Sequence, residues 1–112
     1  MISTKVAISS TGKDLDSKVD AVFGRCSYFI IAEIKDKKIV NFEAMKNENT
    51  ERLSGAGVCT AQSVAEKNVS LVITGNIGPR ALNILNQFNI KIHKDSGIIK
   101  EVLEKLIKNG II

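Results

Sequence analysis

A chain of 112 residues that is 44% hydrophobic and 25% charged has the composition of one ordinary globular domain. Its length buries about two-thirds of the unfolded surface without disulfides or metals. No apolar run approaches the ~20 residues of a membrane span, and the start M-I-S-T-K-V-A-I-S shows neither an apolar signal core nor a cleavage site. The net charge of +4 rests on 13 lysines and 3 arginines. The lysines are scattered, or sit at helix ends and in K-D-K-K, and the chain has one Tyr and four Phe on which bases would stack. Neither a nucleic-acid nor a membrane partner is expected. Two cysteines give no disulfide framework, so a reducing cytoplasm is the expected setting.

Residues 5–9 (K-V-A-I-S) read as a first strand that ends in the turn-rich S-S-T-G-K-D. That loop has the Gly-Lys of a phosphate-binding loop but not its frame: Ala7 stands where the first glycine belongs, and Asp14 where Ser or Thr would hold a cation. Residues 14–22 read as a loop with one short extended piece. Asp14, Asp16 and Asp20 there look like turn residues, and strand 1 has no acid at its centre, so a two-metal nuclease is not indicated.

Residues 28–34 (Y-F-I-I-A-E-I) form a continuous apolar, β-branched run, as in a strand buried on both faces. After the polar turn K-D-K-K, residues 39–45 alternate, and the two runs read as a hairpin. The loop S-G-A-G follows, then a helical stripe of Val58, Ala61, Val64 and Ala65. S-G-A-G-V-C-T resembles part of a dinucleotide fingerprint, but Thr60 holds the third glycine position and the hairpin breaks the βαβ unit. Gly55 and Gly57 then either admit a close neighbour or simply make a turn. Residues 70–74 (S-L-V-I-T) make a short buried strand.

G-N-I-G-P-R opens a second helix with Pro79 in its first turn, and Ala81, Ile84, Leu85 and Phe88 form its core stripe. Residues 89–93 make a fifth strand. Ile99, Val102, Leu103 and Leu106 mark a last helix, with Lys105 and Lys108 in its final turns and Gly110 as its stop. The order is β-β-β-α-β-α-β-α, a mixed five-stranded α/β sheet with three helices in one domain, residues 1–112.

If strand 2 is antiparallel to strand 1 and the helical crossovers return parallel strands, one sheet edge collects five segments: 9–13, 23–27, 54–59, 75–80 and 93–97. Open α/β sheets bind ligands there. Both cysteines and the only histidine lie in these segments, Arg25, Arg52 and Arg80 fall in or beside them, and three helix N-termini point there. The edge suits an anion.

Cys26 is either a buried small hydrophobe or, beside Arg25 and the helix N-termini, a thiolate able to ligate metal. Cys59 in a helix first turn and His93 at a strand end are further candidate ligands. No C-x-x-C or His-rich tract marks a closed zinc site, and no signature supports a Cys/His protease. The candidate metal ligands are Cys26, Cys59 and His93. The candidate cofactor-binding residues are Ser10, Gly24, Arg25, Gly55, Gly57, Gly75, Asn76, Gly78 and Arg80.

Four motifs, A-I-S-S, V-D-x-x-F-G-R-C-S-Y-F at 19–29, S-G-A-G-V at 54–58 and V-I-T-G-N-I-G-P-R-A at 72–81, run in order along nearly the whole chain. Together they resemble the dinitrogenase iron–molybdenum cofactor family, the NifX-like domain also found at the C-terminus of NifB. The resemblance implies a ribonuclease H-like fold and a non-catalytic protein that binds an iron–sulfur or iron–molybdenum cluster on its way to an apo-metalloenzyme. Cluster-assembly proteins, or an ATPase partner, would be its company. Where nitrogenase-associated members commonly carry histidine before Phe-Gly, this chain has Val22, as in the small stand-alone branch. Two other readings stand beside this one. The domain could be a cofactor-free interaction or regulatory module, or a small anion or nucleotide binder using G-N-I-G and S-G-A-G.

Overall fold

The computed structural model describes residues 3–112; the first two residues of the expected domain lie outside the described residues. The elements are β1 (Thr4–Ser10), β2 (Tyr28–Lys35), β3 (Lys38–Lys46), α1 (Ala56–Ala65), β4 (Leu71–Thr74), α2 (Pro79–Gln87), β5 (Lys91–Lys94) and α3 (Ile99–Lys108). The strands form one sheet in the order β3-β2-β1-β4-β5. β1 is antiparallel to β2 and parallel to β4, β2 is antiparallel to β3, and β4 is parallel to β5. The mixed α/β sheet and the element order match the sequence reading.

The chain's apolar residues divide cleanly between the two faces. Along β1, Val6 and Ile8 face α3 while Ala7 faces α1 and α2; along β2, Ile30, Ala32 and Ile34 face α3 while Phe29 and Ile31 face the helix pair. Because β1, β2 and β4 are covered on both sides, their runs are continuous rather than alternating. Each fully buried Ile or Phe stabilises the fold by ~1.5–3 kcal/mol. The β2–β3 hairpin closes on Asp36 and Lys37, both at positive φ (52° and 62°), the twist that a two-residue hairpin requires.

The segment between β1 and β2 is a loop held by two isolated bridges, Val19 to Ser10 at the end of β1 and Lys18 to Ile98 just before α3. Some expected stripe positions differ, and Ala65 and Ile84 are half-buried at the margin of the core. Phe88 is 57% exposed, because α2 ends at Gln87 and Phe88 caps it outside the helical conformation. Val58 is only half-buried; the buried face of α1 is Ala56, Thr60, Ala61 and Val64.

Candidate functional site

Since β1, β4 and β5 run the same way and β2 opposes β1, the ends of β1, β3, β4 and β5 and the start of β2 share one edge of the sheet. The N-termini of α1 and α2 open beside each other on this edge. Between them lies a cleft of about 300 Å³ lined by Phe23 and Gly24, by the start of α1 and by the start of α2. Neither helix has a side-chain cap: Gly55 precedes α1 at φ 71° and Gly78 precedes α2 in extended conformation. First-turn amides have no intrahelical acceptor, so the N–H groups of Ala56, Gly57, Val58, Arg80 and Ala81 are available at the cleft.

The walls are close because they are glycine. A Cβ on Gly24 would lie 3.0 Å from the Gly57 Cα, and one on Gly57 would lie 3.5 Å from the Ala81 Cβ. Arg80 is the only charged side chain among the lining residues, and it is exposed. Among the described residues no carboxylate pairs with it. The electrostatics are therefore those of an anion site: two helix N-termini and one guanidinium, with no acid in the walls.

The third helix is different from expectation. The Ile99 and Lys100 amides donate to the carbonyls of Ser17 and Leu15, at 2.9 and 3.0 Å, so the loop after β1 already satisfies the start of α3. Two helix N-termini, not three, remain open at this edge.

Of the predicted site residues, Gly24, Gly55, Gly57, Gly78 and Arg80 line the cleft. Ser10 is buried, and its hydroxyl turns onto its own loop, donating to the Gly12 carbonyl at 2.7 Å and accepting from the Gly12 amide at 3.1 Å. Gly75 is held by packing: a Cβ there would meet the Ala21 Cα at 2.6 Å. Asn76 is exposed, and its carbonyl accepts from the Thr74 hydroxyl. Arg25 points away from the cleft, donating to the carbonyls of Thr50 and Arg52 at 2.9 Å each. Arg52 in turn donates to the Ser54 carbonyl at 3.2 Å. These two arginines anchor the strand-to-helix loop that delivers Gly55.

The three candidate metal ligands are not brought together. Cys26 is 1% exposed, packed with Ala7, Phe23 and Phe29 in the core beneath α1 and α2, and its thiol donates to the Phe23 carbonyl at 3.3 Å. Burial, with the Asp20 charge adding to it, pushes this thiol from 9.0 up to about 12. A thiol so placed stays protonated and inert. Cys59 is half-buried on α1, outside the cleft lining. His93 pairs across β4 with Ile73, which places it on the opposite, α3 face of the sheet, 3.2 Å from Asp95. Among the described residues no group of three or more His, Cys, Asp or Glu side chains is placed to hold a metal ion.

Asn47 and Thr60 were not legible in the sequence. Asn47 is 4% exposed, and its Nδ2 donates to the carbonyls of Gly24 and Cys26 at 3.1 and 2.9 Å. Thr60, 1% exposed, donates from Oγ1 to the Gly24 carbonyl at 3.0 Å. Together they lock the turn 23–26 between β3 and α1. A Thr inside the apolar stripe of α1 is the one signal that pointed there.

Comparison with known proteins gives a consistent picture. The family model described as dinitrogenase iron-molybdenum cofactor matches residues 4–109. An uncharacterised protein of Methanocaldococcus jannaschii is 32% identical over 107 residues, covering 95% of this chain and 91% of its own. The NMR structure of a NifB-like protein from Thermotoga is similar at 32% identity and TM-score 0.75, over 96% of this chain and 89% of that one. The apo form of the orange protein from Desulfovibrio gigas is similar at 26% identity and TM-score 0.85, over 95% and 88%.

Proposed function

Because the chain belongs to the dinitrogenase iron–molybdenum cofactor family, we propose that it carries an anionic metal–sulfur cluster, of iron–sulfur or iron–molybdenum type, in the cleft between α1 and α2. The observation that supports this reading is the chemistry of the walls: open amides at two helix N-termini and Arg80, with no acid in the lining and, among the described residues, no carboxylate paired with Arg80 and no clustered ligand side chains. That donor set suits cargo that arrives with its own sulfides and its negative charge, not a bare cation. The N–H groups of Ala56, Gly57, Val58 and Ala81 donate to sulfides, Arg80 offsets charge, and Phe23 and Val58 keep water from one side of the cargo.

Held by hydrogen bonds and charge, the cargo can be released whole, which is what a carrier has to do. The lining offers backbone amides and one guanidinium, groups that hold an anion, and this supports reading the role as handling. The fitting recipients are apo-metalloenzymes or cluster-assembly proteins, in the cytoplasm. Cys26 would ligate only after the turn 23–26 opens, and Cys59 or His93 only with groups that the cargo supplies.

The test is anaerobic reconstitution of the purified chain with iron and sulfide, or with thiomolybdate, followed by gel filtration, absorption and EPR spectroscopy. A chromophore that co-elutes with the protein supports the carrier. Absence of a chromophore together with a thermal shift by nucleotides assigns the cleft to a small-anion binder and defeats the cluster reading.

A further inference from the structure

Five strands at about 4.8 Å spacing make a sheet roughly 20 Å across, which takes two helices of about 10 Å to cover one face. One face has α1 and α2, but the other has α3 as its only helix, with Leu15 and Val19 of the loop after β1 beside it. The buried side chains of α3 pack over β1, β2 and β4, and the outer strand β3 adds no fully buried residue to that cluster, only the half-buried Ile39 at its margin. A trough of about 720 Å³ remains between α3 and β3, more than twice the volume of the ligand cleft.

The trough runs along α3 from Lys100 through Glu104 to Ile107 and Lys108, one stripe of the helix about 12 Å long. Its floor is apolar: Leu15, Ile39, Phe42 and Ile107. Phe42 stands opposite the buried Ala32 and is itself 39% exposed, and Val40 is 51% exposed. The rim is basic. Lys37, Lys38, Lys100 and Lys108 border the trough against the single acid Glu104, all of them exposed. Among the described residues none of these lysines has a carboxylate partner.

We infer that the trough is the docking site for an acidic amphipathic helix of a partner protein. The missing second helix of this face sets the size of the occupant, and the apolar floor sets its inner surface. The four lysines set its charge, since a partner with glutamates flanking an apolar stripe meets them and desolvates only the floor. A second copy of this chain would bring like charge to the same rim. The trough lies on the face of the sheet opposite the α1–α2 cleft, so a partner seated there leaves the cargo uncovered.

The experiment is an amide NMR titration with a synthetic Leu/Glu amphipathic peptide about 16 residues long and with its Leu/Lys counterpart. The Leu/Glu peptide is expected to shift amides of residues 37–42 and 100–108 and to leave 55–58 and 79–81 in place. Lys38→Glu with Lys108→Glu weakens its binding about tenfold, Phe42→Ser weakens it too, and dispersed spectra certify the fold of each variant. The inference is overturned if the Leu/Glu peptide shifts nothing in the trough, if the Leu/Lys peptide binds as well, or if the charge reversal has no effect. A dimer in sedimentation equilibrium that Phe42→Ser dissolves also overturns it, assigning the trough to a second copy.

Discussion

Gly24 and Gly57 meet backbone to backbone, so close that a Cβ on Gly24 would lie 3.0 Å from the Gly57 Cα and 3.1 Å from its nitrogen. This contact seats the turn 23–26 on the start of α1 and sets the width of the cleft. Gly24→Ala should therefore cost ~1–3 kcal/mol, as overpacking does. Gly78, on the other wall, has φ −74° and nothing within 4 Å of its Cβ position. Gly78→Ala should stay within about 0.5 kcal/mol of the parent. Thermal melts of the two variants check the contrast.

Arg80 and Arg25 should separate binding from stability. Arg80 is exposed at the cleft with no protein partner among the described residues, so Arg80→Gln should leave the melting temperature unchanged and weaken cluster retention about tenfold, equivalent to ~1.4 kcal/mol. Arg25 holds the Thr50 and Arg52 carbonyls, so Arg25→Gln should lose about 1 kcal/mol of stability and expose the loop 47–54 to proteases. Melting curves beside titrations with thiomolybdate read both effects.

Cys26 predicts an alkaline signature. Its thiol is pushed from 9.0 to about 12 by burial, so below pH 9 it is neutral in both folded and unfolded chains. Between pH 9 and about 12 only the unfolded chain ionises at this site, and stability falls with rising pH by up to ~1.4 kcal/mol per unit. Cys26→Ala removes that slope while losing about 1 kcal/mol near neutrality. Denaturant melts at pH 8 and pH 10 on both proteins measure it, and an alkylating reagent at pH 8 should modify Cys59 and spare Cys26.

Asp95 governs the acid limb. Burial works against its charged form, but the Lys105 ammonium, the Ser96 amide and the His93 ring together hold the carboxyl below its ordinary 3.8. A lowered carboxyl contributes stability that is full above 3.8 and is lost as pH falls through the lower, folded value. Asp95→Asn should bring the melting curves of the two proteins together at low pH and separate them near neutrality.

Most of this architecture was legible because apolar periodicity and turn chemistry are local. The continuous run 28–34 declared a strand covered on both faces, and Gly-Pro-Arg declared a helix start. The convergence of loops on one edge followed from strand direction alone. The fates of individual side chains at that edge did not. Whether Arg25 reaches a ligand or the Thr50 carbonyl depends on the path of the loop 47–54. Whether α3 offers its amides depends on Leu15 and Ser17 arriving from far along the chain. Cys26 looked electrostatically activated from its neighbours, yet its side chain, two residues before β2, went inward, where desolvation outweighs nearby dipoles.

The most direct test of the account is amide NMR of the chain loaded anaerobically with a thiomolybdate or iron–sulfur species. Ala56, Gly57, Val58, Arg80 and Ala81 are expected to shift or broaden, and Arg80→Gln should need about tenfold more of the species for the same effect. Changes confined to residues 9–13 or to the surroundings of His93, with these amides unmoved, would contradict it.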